Sequence, residues 1–251
     1  MQTRDRRPVM LITGASRGIG AAIARAASDV YDLAIDYNTN PEVAQALAGE
    51  LEGTGCSALL HRADVSDECS VVDMFAAVRD RFGRLDVLVN NAGIAGSYGG
   101  IDTVTATMLA HLWAVNVTGA FVCSREAARI MSTSRGGNGG SIITISSKAA
   151  VLGGSGEWVH YAASKGALDT MTVGLSKELA ADGIRVNAVR PGLIESDFHL
   201  HAPPGRVERM APSIPVLRSG SPAEVAGAVI WLASPAASYV TGAFIDVTGG
   251  R

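Results

Sequence analysis

Thr13-Gly-Ala-Ser-Arg-Gly-Ile-Gly20 follows directly on a short apolar run, Val9–Thr13, and leads into a helical pattern that begins Ile19-Gly-Ala-Ala-Ile23. Strand, glycine-rich turn and helix start, in that order, make an anion site. The glycines let backbone N–H groups approach a pyrophosphate, and the helix N-terminus adds partial positive charge. Gly14, Ser16, Arg17, Gly18, Ile19 and Gly20 are therefore candidate nucleotide contacts. The spacing is G-x-x-x-G-x-G rather than G-x-G-x-x-G, so a plain strand-to-helix loop stays open for this turn taken alone.

Outward from the turn, short β-rich runs alternate with longer helical patterns. The expected strands are Val9–Thr13, Leu33–Tyr37, Ala58–Arg62, Leu85–Asn90, Ser141–Ser146, Arg185–Val189 and Phe244–Val247. Several are almost unbroken apolar runs, as parallel strands buried on both faces require. Helix ends are marked by Asn40-Pro41-Glu42, by Ser66 and Gly83, and by Ser221-Pro222-Ala-Glu224. Strand–helix repetition of this kind predicts an α/β doubly wound parallel sheet, a Rossmann fold. The glycine-rich stretch Ser134–Gly140 is too short for a linker, so residues 1–251 read as a single domain.

Composition narrows the function classes. The chain has 251 residues, 47% of them hydrophobic and 18% charged, with a net charge of -3. That charged share lies below the usual ~25% and suggests surface covered by another subunit. No basic run advertises a nucleic-acid partner. Cys56, Cys69 and Cys123 are odd in number and form no CxxC, so neither a disulfide framework nor a zinc ribbon is expected. Arg4, Arg6 and Arg7 precede an apolar run too short for a signal peptide, and no run of ~20 consecutive apolar residues is present. A soluble, cytoplasmic protein without membrane or nucleic-acid partners is expected.

The carboxyl ends of the strands carry the remaining nucleotide candidates. Asp64-Val65 follows the third strand, where Asp64 suits an adenine amine or a plain turn. Asn90-Asn91-Ala92-Gly93 ends the fourth strand beside the first, at the switch point where open α/β sheets bind ligands. The second strand ends Asp36-Tyr37-Asn38-Thr39. An acid at that tip selects NAD through the ribose 2′-hydroxyl, whereas NADP requires its absence and positive charge. Asp36 alternates in phase with Ala34, a mid-strand position. That leaves Tyr37, Asn38 and Thr39 to face the ribose with Arg17 as the cation, and NADP(H) is favoured while NAD(H) stays open.

A second group of residues suits proton transfer. Tyr161 and Lys165 stand four apart on a helical segment, one turn from each other. An ammonium beside a phenol is expected to lower its pKa and fit it for general acid–base work. A hydroxyl from Ser146 or Ser147, at the fifth strand's end, can bond a carbonyl oxygen as its charge changes, and Ser147 is preferred. Asn116 interrupts an apolar helical stretch, and a buried Asn needs partners.

In this order the motifs resemble the short-chain dehydrogenase/reductase family over nearly the whole chain. Thr13–Gly20, Asp64, Asn90–Gly93, Asn116, Ser147, Tyr161/Lys165 and Pro191-Gly192 carry the likeness. The resemblance implies strand order 3-2-1-4-5-6-7, a catalytic tetrad of Asn116, Ser147, Tyr161 and Lys165, and a homotetramer. It assigns Lys165 also to the nicotinamide ribose, and Pro191, Gly192 and Ile194 to the carboxamide. Two departures stand out. Ser147 and Tyr161 are one residue further apart than usual, and Asn38 replaces an arginine of members whose second strand ends Asn-Tyr-Arg-Ser.

The expected activity is hydride transfer between NADP(H) and a ketone or secondary alcohol, with Tyr161 as general acid/base. Specificity of the 3-oxoacyl-carrier-protein reductase or sugar dehydrogenase type is the alternative, and a catalytically silent NAD(P) sensor is the alternative from another class. Residues 195–215, polar and punctuated by Pro and Gly, read as a substrate lid that suits a hydroxylated ketone. A basic patch for a carrier protein would draw on Arg206, Arg209 and Arg218. His199 and His201 lack a third ligand nearby, so no metal is expected.

Overall fold

The computed structural model describes residues 7–251; Arg4 and Arg6, and the side chains of His199 and His201, lie outside what it describes. Its strands are β1 (Val9–Ile12), β2 (Asp32–Tyr37), β3 (Ala58–Arg62), β4 (Val87–Asn90), β5 (Gly140–Ile145), β6 (Ile184–Pro191) and β7 (Phe244–Val247). They form one sheet, ordered β3-β2-β1-β4-β5-β6-β7, and every pairing is parallel. The apolar runs explain this arrangement. β1 and β4 are buried along their whole length, and only strands covered on both faces can be apolar throughout.

The helices that cover the sheet are α1 (Gly18–Ala27), α2 (Pro41–Glu52), α3 (Glu68–Phe82), α4 (Ala106–Trp113), α5 (Gly119–Met131), α6 (Ala149–Leu152), α7 (Val159–Glu178), α8 (Arg206–Met210) and α9 (Pro222–Ala233). On one face Ile23 of α1, Leu47 of α2 and Val229 of α9 pack on Ile12, Leu33 and Val89. On the other, Met74 of α3 and Met131 of α5 meet Leu11, Leu88 and Ile142. At about 1.5–3 kcal/mol for each fully buried aliphatic side chain, these two layers dominate the stability of the fold.

Helix ends differ from the expected ones in two places. The cap of α3 is Asp67, not Ser66; its carboxylate accepts the N–H groups of Cys69 and Ser70 at 3.2 and 3.3 Å. Ser66 instead turns back to Asp64. Asn40 precedes α2 in a left-handed conformation (φ 61°) with no side-chain cap bond, leaving Pro41 to start the helix. Ser221 and Glu224 do form a reciprocal capping box, and Gly83 closes α3 at φ 72°.

Between α4 and α5 the helix widens into a π-turn at Ala114–Thr118, which carries Asn116. Counted as one rod, Ala106–Met131 has the length and mean hydropathy (1.4) of a membrane span, which unbroken apolar runs alone did not predict. It lies along the sheet with Leu112, Asn116, Cys123 and Met131 buried. Cys56, Cys69 and Cys123 are all free.

Candidate active site

The glycine turn is held from behind. Gly14 and Gly18 adopt left-handed φ values of 61° and 56°, which side chains rarely reach. A Cβ on Gly14 would come within 3.0 Å of the Ala92 Cα, and one on Gly20 within 2.6 Å of the Asn91 amide nitrogen. Asn91 donates from Nδ2 to the carbonyls of Thr13 (2.9 Å) and Gly14 (3.0 Å). Thr13 Oγ1 accepts the N–H groups of Asn91 and Ala92 at 3.0 Å each. The Asn91 amide therefore braces the turn as well as lining the cleft, a second use its sequence position did not announce.

Asp36 lies within β2, one residue before its end, rather than in mid-strand, and its side chain is turned into the fold. It is 2% exposed, and its two carboxylate oxygens accept the N–H groups of Gly14 (3.0 Å) and Ala63 (3.1 Å). Burial pushes its pKa up to about 7 against these bonds, with Asp64 adding to the rise. Both oxygens are engaged within the fold, and burial keeps the carboxylate from a ribose at the rim. At the strand tip Tyr37 is half-buried while Asn38 and Thr39 are exposed.

Two candidates there are already engaged. Asp64 accepts from the Ser66 N–H (2.9 Å) and Oγ (2.6 Å) and from the Asn38 side chain, and Ser66 is the main cause holding it below the usual carboxylate range. Val65 beside it is buried. Arg17 pairs with Asp197 at 3.3 Å, both side chains being 58% exposed.

Of the proton-transfer candidates, Ser146, Ser147, Tyr161 and Lys165 meet in a cavity of about 210 Å³ at the carboxyl edge of the sheet, whose lining does not include Asn116. Its walls include Ile19, Asn91, Gly93, Ser147, Tyr161, Lys165 and the segment Pro191–Ile194. The two serines separate cleanly. Ser146 turns into the protein, donating to Asp169 Oδ1 at 2.7 Å, while Ser147 bonds the Tyr161 hydroxyl. Alternation along β5 makes the choice, because neighbouring side chains at a strand end face opposite ways.

Lys165 donates to the Ile145 carbonyl at 2.7 Å, and its ammonium stands 5.6 Å from the Tyr161 ring centre. The expected lowering of the phenol pKa is not what the geometry produces. Burial pushes Tyr161 up to about 12, opposed by the Ser147 hydrogen bond. Burial also brings Lys165 down to about 8, opposed by Asp169. Desolvation of both groups outweighs the attraction between them, so the phenol is a protonated donor at neutral pH.

Asn116 makes a clip. Its Oδ1 accepts the Ile94 N–H at 2.8 Å, and its Nδ2 donates to the Ile94 carbonyl (2.9 Å) and to Ser164 Oγ (3.0 Å). Ser164 donates in turn to the Tyr161 carbonyl at 2.7 Å. One amide thus ties the strand-β4 loop to the helix that carries Tyr161 and Lys165. A Cβ at Gly93 would lie 3.3 Å from Asn116 Oδ1 and 3.5 Å from Lys165 Nζ, so a side chain there would press on the Asn116 amide.

Between Ser147 and Tyr161, α6 is followed by a turn with left-handed Gly153, Gly154 and Gly156. Past that turn, Glu157 and Trp158 meet residues 195–215. Arg206 binds the Glu157 carboxylate through two nitrogens, at 3.0 and 2.5 Å, and its guanidinium lies 5.0 Å from the Trp158 ring centre. Phe198 lies 5.3 Å from Trp158 and 5.2 Å from Tyr161. Tyr98 stands edge-on to Trp158 at 5.0 Å. Sequence reasoning missed Tyr98 and the Glu157–Arg206 clasp, which only the folded loops bring together.

A dinucleotide fits this edge. Close-approach glycines leave the turn's backbone open, an apolar floor meets Lys165, and the second-strand tip carries no free acid. A parallel sheet with such a cradle and a hydroxyl–ammonium cluster beside it is the build of a nicotinamide-dependent oxidoreductase.

Comparison with known proteins places it more narrowly. A family model described as enoyl-(acyl carrier protein) reductase matches residues 14–251. An uncharacterised oxidoreductase, YgfF, of Escherichia coli K12 is 47% identical over 97% of this chain and 99% of its own. The 3-oxoacyl-[acyl-carrier-protein] reductase FabG of Staphylococcus aureus Mu50 is 38% identical, with 96% of each chain covered. A short-chain dehydrogenase from Burkholderia cenocepacia J2315, solved in complex with NADP, superposes with a TM-score of 0.90 at 34% identity, covering 98% of this chain and 97% of that one. The chain belongs to the short-chain dehydrogenase/reductase family and is an NAD(P)-dependent enzyme.

Proposed function

We propose that the protein is an NADP(H)-preferring reductase of small ketones, with Tyr161 as the proton donor. The observation that carries this reading is the Tyr161 hydroxyl, bonded to Ser147 inside the cavity that Lys165 and Gly93 also line. Reduced nicotinamide, when bound, supplies the hydride. Ser147 and Tyr161 then grip the carbonyl oxygen, and Tyr161 delivers its proton as negative charge develops there. Lys165 holds the nicotinamide ribose, and Asn116 fixes the loop and helix that frame the site. Ser16, Gly18 and Ile19 receive the pyrophosphate; Ala92 and Gly93 border the ribose; Pro191, Gly192 and Ile194 border the carboxamide.

NADP is favoured because Asp36 has both oxygens committed to backbone N–H groups. A free ketone is favoured over a carrier-bound one because two of the three expected basic residues are neutralised. Arg206 pairs with Glu157 and Arg218 with Glu224. The inner wall of Leu152, Trp158 and Phe198 suits an apolar or aromatic substituent better than a sugar, a revision of the expectation drawn from the lid's polar composition. Residues 195–215 act as the lid within one domain. Half-exposed Trp113, Phe121 and Trp231 supply apolar surface for a homotetramer, to be read by light scattering. Free cysteines fit a cytoplasmic site.

The test is NADPH oxidation across aliphatic, aryl, hydroxylated and carrier-thioester ketones, with Tyr161→Phe alongside. Activity that collapses in the variant supports the reading. Cofactor binding without turnover of any carbonyl would establish a sensor instead.

A further inference from the structure

The tip of β2, Tyr37-Asn38-Thr39, carries no cation of its own, yet a guanidinium reaches it from the neighbouring strand. Arg62, the last residue of β3, pairs in register with Tyr37 and donates from Nε to the Asn38 carbonyl at 3.1 Å. It is exposed, and among the described residues no carboxylate forms an ion pair with it. The nearest acid along the chain, Asp64, is occupied by Ser66 and the Asn38 amide. Arg17, the cation expected at this place, is instead paired with Asp197 of the lid segment.

We propose that Arg62 is a specificity-determining residue of the cofactor site, holding the 2′-phosphate of NADP(H) against the β2 tip. The assignment rests on the NADP(H) reading above and extends it. One nitrogen of the guanidinium is spent on the Asn38 carbonyl, which fixes the side chain across the tip. The other two remain as a fork of the kind that binds phosphate oxygens in pairs. Asp36 does not oppose an incoming phosphate from the rim, because its carboxylate is buried beneath the tip and turned to Gly14 and Ala63. The residue acts across two strands.

Calorimetric binding of 2′,5′-ADP and of 5′-AMP to the full-length protein tests this without any turnover. The wild type should bind 2′,5′-ADP the more tightly. Arg62→Met should weaken 2′,5′-ADP by about ten- to hundredfold and move 5′-AMP by less than about twofold, as expected for a lost charged hydrogen bond. Arg62→Lys should recover part of the loss, since charge returns without the fork. Arg17→Met should cost less than Arg62→Met. If Arg62→Met keeps the 2′,5′-ADP preference, or weakens both ligands alike, Arg62 is not the phosphate reader while the NADP(H) reading stands. Should the wild type itself show no preference, the NADP(H) reading fails, and the Arg62 assignment with it.

Discussion

Asp36 and Gly14 are joined by a hydrogen bond of 3.0 Å from the glycine N–H to a carboxylate that is 2% exposed. The acid's second oxygen holds Ala63, so one side chain ties the nucleotide turn to the end of β3. Burial holds its pKa near 7, above the ordinary 3.8. The native fold therefore keeps a proton that the unfolded chain releases. The associated stability is complete below pH 3.8 and is lost as pH rises through about 7. Asp36→Asn removes this titration and puts an NH2 opposite a backbone N–H, costing about 1–3 kcal/mol. Melting temperatures of both proteins from pH 4 to 8 should show a wild-type advantage that shrinks as pH climbs. A constant gap would refute the assignment.

Replacing Tyr161 by Phe removes the donor and leaves the ring packed on Phe198. Ketone reduction should fall by about two to four orders of magnitude. Cofactor affinity, measured by quenching of protein fluorescence, should stay at the wild-type value.

The Lys165 ammonium loses its proton at about 8 and Tyr161 at about 12. Lys165 is charged below its pKa, so kcat/KM for ketone reduction should hold from pH 6 to 7.5 and decline as pH passes about 8. A pH–rate profile with its fall only near 12 would assign control to Tyr161 instead.

Ser146→Ala and Ser147→Ala should part company. The first loses a buried bond to Asp169 and costs about 1 kcal/mol of stability, read as a lower melting temperature with kcat close to wild type. The second spares stability and lowers kcat.

Glu157→Gln should loosen the clasp between residues 153–158 and α8. Proteolytic nicking within residues 195–215 should quicken, and KM for the ketone should rise more than kcat falls. The Glu157 and Arg206 side chains are 30% and 11% exposed, so solvent screens the pair only in part.

Local patterns announced most of this architecture. Unbroken apolar runs identify parallel strands, and the glycine turn after β1 fixes where a nucleotide lies. Though the residue stands one short of the strand's end, the inward turn of Asp36 was legible because period-two alternation is a property of the chain itself. Arg62 was not, because its relation to Asn38 exists only once β2 and β3 lie in register. The clasp from Glu157 to Arg206 escaped for the same reason, at a separation of 49 residues. The phenol's acidity was misjudged from spacing alone. One helical turn brings the ammonium near, but the water removed around both groups decides the balance.

The widened turn at Ala114–Thr118 carries more residues per revolution than its flanks, so it holds an extra residue while α4 and α5 keep one angular phase. Cutting a single residue from it would restore uniform winding and leave the turns on either side close to their present phase. Asn116 and its bonds to Ile94 would be disturbed, while Cys123, Ala127 and Met131 would keep their face to the sheet. The rod's irregularity thus presents one additional residue to the cleft without turning the packed face, and a one-residue deletion there should cost activity before it costs stability.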